Sequence, residues 1–120
     1  MDIADVERVI RAVATVLRPG GWFVASLVHP CFPGSDSGLS SWPPDRGYSC
    51  EGFWTSDRHN PDGIRIRIGS FHRTLSTYLN LFIDAGLQLS RLVEPEADLP
   101  QFLIMLAHRP RQPAGQDYEA

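Results

Sequence analysis

The stretch that decides the fold is VATVLRPGGWFVASLVHPCF, residues 13–32. Its first part ends a helix, because apolar residues from Val6 onward recur at spacings of three and four, as on a helix with one buried face. Asp5 is a suitable N-cap at the start of that helix. Pro19 cannot continue a helix, and the two glycines after it permit a tight exit turn. The pattern therefore predicts a helix from Asp5 to about Leu17.

The second part of the stretch predicts a strand. Residues 22–28, WFVASLV, are short, apolar and almost without polar breaks, which is typical of a strand buried on both faces of a parallel sheet. His29 and Pro30 end it.

A long insert follows, which we take as residues 31–72. Its first part is rich in Gly, Pro, Ser and Asp, and a structureless loop of that length is uncommon unless it is functional or disordered. Because it also carries five aromatic residues, we predict a partly ordered lid over the substrate side. Isoleucines alternate with arginines over residues 64–68, which predicts a half-exposed strand, with residues 48–54 as a candidate hairpin partner. The five aromatics are Phe32, Trp42, Tyr48, Phe53 and Trp54.

The rest of the chain returns to regular patterns. A second helix is predicted from its cap Thr74 to about Ala85, with Gly86 just past its end. Two apolar runs, residues 87–93 and 102–107, then predict successive strands, and residues 111–120 predict a flexible tail. The element order is helix, strand, insert, helix, strand, strand, which is an α/β pattern.

Composition narrows the function classes. The 120 residues carry a net charge of -3 without a long run of either sign, so we expect no nucleic-acid partner. Every basic residue is Arg, which excludes lysine chemistry from this segment. The longest apolar stretch is too short for a membrane helix and the first residues are acidic, so we expect no membrane association, no secretory signal and a cytoplasmic location.

The two cysteines are expected to be free thiols. A disulfide is uncommon in a chain without a secretory signal. A zinc site built from Cys31, Cys50, His29 and His59 is disfavoured because the spacing holds no CxxC or HxxxH pair. We therefore expect no metal.

Three segments together resemble a known family. The stretch at residues 13–32, the string HRTLSTYLNLFIDAGLQLSRLVEP at 72–95 and the string FLIMLAHRP at 102–110 resemble the methyltransferase type 11 branch of class I S-adenosylmethionine-dependent methyltransferases. The resemblance covers about residues 1–110. It implies a partial Rossmann-like methyltransferase fold of helix, strand 5, lid insert, helix, strand 6 and antiparallel strand 7. Strands 1 to 4 of that fold are absent from the chain, which would then be the C-terminal half of the domain.

The resemblance predicts a strand order and a missing cofactor site. The strand at residues 102–107 should run antiparallel between those at 22–28 and 87–93. S-adenosylmethionine is the implied cofactor, but the family's Gly-rich turn and acidic ribose partner lie upstream of this segment. Gly20 and Gly21 stand between a helix and a strand, the wrong order for a cradle, so no cofactor-binding residue is expected here. Met1 is either an internal methionine of a longer gene or the start of a remnant.

His29 is the candidate catalytic residue. It follows a buried strand at the end where open α/β sheets place their ligands, and could orient or deprotonate a substrate; it could also simply cap the strand under the lid. His72 could face the same cleft or mark the entry of a helix. The lid aromatics could cover a methyl acceptor or anchor the lid on the protein's own core. The candidate substrate-binding residues are His29, Trp42, Tyr48, Trp54 and His72.

Three functions stay open at this point. The first is a small-molecule methyltransferase present as a truncated C-terminal segment that does not bind its cofactor alone. The second is a non-catalytic methyltransferase-like remnant that acts as an interaction module, and the third is an unrelated α/β binding domain. In the first two, the strand at residues 22–28 would have an exposed edge, and such edges invite self-association.

Overall fold

The computed structural model describes residues 3–33, 41–42, 46–55 and 67–111. Within these ranges the chain forms an α/β fold of helices and antiparallel strand pairs. The helices are α1 (Val6–Val16) and α2 (Leu75–Asp84). The strands are β1 (Trp22–Val28), β2 (Gly52–Trp54), β3 (Ser70–His72), β4 (Gln88–Val93) and β5 (Phe102–His108).

The main sheet has the strand order β1-β5-β4. The central strand β5 runs antiparallel to both neighbours, with Val28 opposite Phe102 on one side and Val93 opposite Ile104 on the other. Strands β1 and β4 are therefore parallel to each other, and their C-terminal ends lie at the same edge of the sheet. This arrangement confirms the strand order predicted from the sequence.

Helix α1 begins and ends where its sequence signals predict. The Asp5 side chain accepts a hydrogen bond from the backbone N–H of Arg8 at 3.1 Å, which caps the first turn. Beyond the helix, Gly20 has a φ of +80°. Its N–H donates to the carbonyl of Arg109 at 2.8 Å, and the N–H of Arg109 donates to Gly21 at 2.9 Å. These two backbone hydrogen bonds join the glycine turn to the end of β5.

Helix α2 ends in a Schellman motif. Gly86 has a φ of +81°, its N–H donates to the carbonyl of Ile83, and the N–H of Leu87 donates to Phe82, both at 3.0 Å. The helix starts at Thr74, whose side chain accepts from the N–H of Thr77. Both predicted boundaries are confirmed.

The core lies between the sheet and the two helices. Met105 and Ala107 of β5 have no exposed surface, and Leu103 is 2% exposed. These side chains alternate along the strand and share one face, as the period of a strand requires. Against that face pack the apolar residues of both helices, of which the most buried are Val6, Ile10, Tyr78 and Phe82.

The prediction that β1 is buried on both faces is wrong for this chain. Only Leu27 of this strand is buried, whereas Trp22 is 64% and Val24 47% exposed. The reason is that among the described residues β1 hydrogen-bonds to β5 alone, so it is an edge strand. The described neighbours of β1 therefore leave several of its apolar side chains exposed.

The strand predicted over residues 64–68 is not observed at its described end. Arg67 and Ile68 are helical, and residues 64–66 lie outside the described residues. Gly69, at a φ of +74°, ends this helical turn and lets the chain enter β3. It is β3 that pairs antiparallel with β2, where Ser70 and His72 are buried, whereas Ile68 is 56% exposed.

Two further expectations concern the C-terminal tail and a membrane-spanning helix. The tail predicted at residues 111–120 lies outside the described residues, apart from Arg111. In the part of the chain that is described, neither helix combines the length and the apolar composition needed to cross a membrane.

Candidate functional site

The candidate site lies at the edge of the sheet where β1 and β4 end. His29 follows β1 directly, Glu94 follows β4, and the first residues of the insert continue from His29. Ligands of open α/β sheets bind beyond the carboxyl ends of the strands, so this edge is the expected position.

His29 is buried and both of its ring nitrogens are engaged. The residue is 2% exposed. Its Nδ1 accepts a hydrogen bond from the backbone N–H of Cys31 at 3.0 Å, and its Nε2 lies 2.5 Å from Oε2 of Glu94. Because Nδ1 accepts, the ring proton is on Nε2 and is donated to the carboxylate. This geometry suits a histidine that orients another group, and it leaves no ring nitrogen with a free lone pair to act as a base.

The backbone around His29 is also fixed. Its N–H donates to the carbonyl of Gln101 at 2.9 Å, and its carbonyl accepts from the N–H of Phe32 at 2.9 Å and from the hydroxyl of Ser41. The following Pro30 is buried and restricts His29 to extended conformations. The direction of the imidazole is therefore set by the strand end and by the insert together.

Three of the predicted site residues form one aromatic cluster, Trp42, Tyr48 and His72. The ring centroids are 5.8 Å apart for Trp42 and Tyr48, 5.9 Å for Trp42 and His72, and 5.6 Å for Tyr48 and His72. His72 is 2% exposed, and its Nε2 lies 2.5 Å from the carbonyl oxygen of Tyr48. Trp42 and Tyr48 are half-buried.

Tyr48 connects the insert with α2 and with the segment after β1. Its hydroxyl accepts from the backbone N–H of Leu75 at 2.7 Å and hydrogen-bonds the side chain of Cys31. Burial raises the pKa of Tyr48, and the bond to Cys31 acts in the same direction, while the bond from Leu75 opposes both. Since Cys31 also contacts His29, it joins the aromatic cluster to the His29–Glu94 pair.

The Glu51 carboxylate accepts a hydrogen bond from the residue that caps the start of α2. Its Oε2 accepts from the N–H of Thr74 at 2.8 Å. Burial alone would raise the pKa of Glu51, but hydrogen bonds from Thr74 and Thr77 and the charges of His72 and Arg73 lower it below its usual range. The carboxylate therefore remains ionised beside the hairpin of β2 and β3.

The structure places Trp54 differently from the other predicted aromatics. It lies in β2 opposite Ser70 and is 2% exposed. A ring so deeply buried offers little surface to a ligand, which fits the alternative in which lid side chains anchor on the protein's own core.

Sequence reasoning missed Glu94 and Glu51 as parts of this site and considered Cys31 only as a metal ligand. Glu94 could have been found, because it is the first polar residue after a predicted strand that runs parallel to β1. Nothing local marks Glu51 or Cys31, whose roles depend on how the insert folds back.

The described residues do not fit a cradle for the implied cofactor. The helices begin at Asp5 and Thr74, and neither is preceded by a Gly-rich turn that follows a strand. The glycines with positive φ lie at a helix exit or at strand entries. In the same ranges no three His, Cys, Asp or Glu side chains are grouped as metal ligands, and Cys31 and Cys50 are free thiols.

Comparison with known proteins gives similarities at the level of structure. No protein-family model matches the chain, and no curated protein matches it by sequence. A crystal structure of an S-adenosylmethionine-dependent methyltransferase from Mesorhizobium loti is similar, with a TM-score of 0.66 and 30% identity over 90% of this chain. A Listeria monocytogenes protein assigned as such a methyltransferase matches with a TM-score of 0.66 and 25% identity over 92% of this chain.

The match spans only part of each solved structure. This chain covers 56% of the Mesorhizobium protein and 57% of the Listeria protein. The α/β fold described above is thus methyltransferase-like, because it is similar to part of two proteins described as S-adenosylmethionine-dependent methyltransferases.

Proposed function

We propose that this chain is the C-terminal half of a class I S-adenosylmethionine-dependent methyltransferase domain of the type 11 branch, and that the enzyme acts on a small molecule. In this assignment α1 precedes strand 5, which is β1, and α2 precedes strand 6, which is β4. Strand 7 is β5, and strands 1 to 4 lie outside the chain. The observation that carries the proposal is the position of β5, antiparallel between two parallel strands, together with the match over 90% of the chain.

The described residues do not fit a cofactor cradle, so we assign cofactor binding and acceptor binding to different parts of the domain. The cofactor is S-adenosylmethionine by similarity, and its contacts are assigned to the part of the domain outside this chain. This chain supplies the acceptor side. An activated methyl group needs little covalent help, so the protein's task is to align the acceptor and to exclude water.

The site residues take roles suited to that task. The half-buried residues Trp42 and Tyr48, packed against His72, provide an apolar wall. His29 acts as an orienting residue, because both of its nitrogens are already hydrogen-bonded.

The alternative is a non-catalytic remnant that acts as an interaction module. The observation that favours it is the apolar edge strand β1, with Trp22 64% exposed and Val24 47% exposed. Such an edge is suited to pairing with another chain, including a second copy of this one.

A chimera separates the two functions. The matching segment of the Mesorhizobium protein is replaced by this chain, and S-adenosylmethionine binding is measured by calorimetry on the chimera, the parent protein and the 120-residue chain. We expect the chimera to bind with an affinity near that of the parent, and the chain alone to give no binding.

The controls are the melting temperature and monodispersity of the chimera. A chimera that is folded and monomeric but does not bind the cofactor would contradict the proposal and favour the interaction module. Micromolar binding by the chain alone would show that the cofactor contacts have been assigned to the wrong part of the domain.

A further inference from the structure

We propose that the Glu94 carboxylate is a binding site for the amine group of a flat, apolar ligand, and that His29 is the residue that positions it. The idea that this amine is the methyl acceptor rests on the proposed function above. The binding itself does not, so it can be tested on the chain alone.

The first observation is that His29 fixes the Glu94 side chain without cancelling its charge. A buried imidazole donates from Nε2 to Oε2 of Glu94 at 2.5 Å, while its Nδ1 accepts from the N–H of Cys31. A ring that accepts at one nitrogen and donates at the other carries a single proton and is neutral. Glu94 therefore keeps a full negative charge in a defined orientation.

The second observation is that Glu94 remains accessible. Its side chain is 56% exposed, although the histidine that holds it is 3% exposed. The hydrogen bond with His29 uses Oε2 of Glu94. One carboxylate oxygen is therefore anchored, and the exposed part of the side chain can be reached by a donor from solution.

The third observation is the aromatic cluster beside this pair. Cys31 contacts His29 through its N–H and the Tyr48 hydroxyl through its side chain. The aromatic cluster is therefore linked to the His29–Glu94 pair through Cys31. Aromatic faces attract cations and pack against flat groups, so they complement an ammonium ion carried on an apolar body.

The negative charge of Glu94 favours an amine over neutral and anionic ligands. An ammonium group gains both a hydrogen bond and a charge pair at Glu94, whereas a hydroxyl gains only the hydrogen bond. An anion would be repelled by Glu94, and by Glu96 and Asp98, which are exposed in the same segment.

The test is an NMR titration of the isotope-labelled chain with benzylammonium, benzyl alcohol and benzoate at neutral pH. We expect weak, saturable binding of benzylammonium, with shift changes at Glu94, His29 and Tyr48. Benzyl alcohol should bind about fivefold to tenfold more weakly, and benzoate should not bind.

Two glutamate variants give a matched comparison. Glu94→Gln keeps an oxygen that accepts from His29 but removes the charge, and should weaken benzylammonium binding about fivefold to tenfold. Glu96→Gln removes the same charge two residues away and should change the affinity by less than about twofold.

Two histidine variants test positioning separately from folding. His29→Asn keeps an oxygen placed to accept from the N–H of Cys31, as in an Asx-turn, but loses the donor to Glu94. His29→Gln keeps a donor that reaches Glu94. We expect His29→Asn to weaken benzylammonium binding about threefold and His29→Gln to restore most of it. In the wild type, imidazole nitrogen shifts should show the Nε2–H tautomer of His29.

The proposal fails if the wild-type chain binds benzylammonium no better than benzyl alcohol, a comparison that needs no variant. It also fails if Glu94→Gln and Glu96→Gln weaken binding equally, because His29 and Glu94 would then only tie two strands together. Amine binding by this chain alongside a folded chimera without cofactor binding would uphold this site and reject the methyltransferase role.

Discussion

Replacing Tyr48 by Phe tests how firmly the insert is attached to the rest of the fold. The substitution keeps the ring in the aromatic cluster but deletes the hydroxyl. It thereby removes the acceptor for the N–H of Leu75, 2.7 Å away, and the hydrogen bond to Cys31. The N–H of Leu75 is one of the donors at a helix start that have no partner within the helix.

The expected cost follows from these two bonds. Leaving a buried donor without its acceptor costs about 1–3 kcal/mol, and a typical net hydrogen bond contributes about 1 kcal/mol. Because Tyr48 is only half-buried, water can replace part of the loss. We therefore expect Tyr48→Phe to lower the free energy of unfolding by about 1–2 kcal/mol.

Urea unfolding followed by fluorescence and circular dichroism measures this change. The midpoint should fall while the slope stays constant, since the surface exposed on unfolding is nearly the same. Tyr48→Leu also removes the aromatic contacts with Trp42 and His72, and should cost about 1 kcal/mol more. A Tyr48→Phe variant within about 0.3 kcal/mol of the wild type would refute the attachment of the insert through this hydroxyl.

Three further predictions concern stability and association. Gly86→Ala should lower the free energy of unfolding in urea by about 1 kcal/mol, because φ is +81° at this position. The added Cβ meets no atom within 4 Å at Gly86 or at Gly47, so Gly47→Ala is the control for steric effects and should be neutral. Equal effects of the two substitutions would contradict the argument from backbone conformation. The pKa of Glu51 is lowered in the folded state, so its contribution is complete above its unfolded pKa of about 4.5 and is lost as the pH falls through the folded value. Thermal melts below pH 5 should therefore show a smaller acid-induced loss for Glu51→Gln than for the wild type or the Glu96→Gln control, and parallel curves would contradict this. The wild type should self-associate in sedimentation equilibrium, Val24→Lys on the edge strand should abolish the association and Val16→Lys on the exposed end of α1 should not; a monomeric wild type at high concentration would overturn the edge argument.

The helix boundaries could be predicted from short stretches of sequence, because they are set by interactions between residues close together in the chain. Asp5 and Thr74 cap the first turns with their own side chains, and Gly86 supplies a backbone conformation that other residues avoid. The strand order came from the family resemblance, since nothing in the apolar runs themselves says which strand lies in the middle.

The failures have a common physical origin. The apolar composition of β1 predicts burial, but burial depends on neighbours, and the described residues supply one only along β5. Similarly, the alternating pattern predicted a strand that includes Arg67 and Ile68, but these two residues are helical, and the strand that pairs with β2 begins only after the positive φ of Gly69.

The sequence pointed to several residues of the candidate site but not to their arrangement. His29, His72, Trp42 and Tyr48 were all named, and three of them meet in one cluster. The pairing of His29 with Glu94 joins positions 65 residues apart and exists only because two parallel strands end at the same edge. No spacing rule in the sequence contains that information.

The central claim is that this chain forms the acceptor side of a methyltransferase. Its most direct test compares the Mesorhizobium parent with the chimera described above, using S-adenosylmethionine with a radiolabelled methyl group and a panel of aromatic amines, alcohols and carboxylates. We predict that cofactor affinity stays close to that of the parent while the acceptor profile changes toward amines. A folded, cofactor-binding chimera that keeps the acceptor profile of the parent would contradict it.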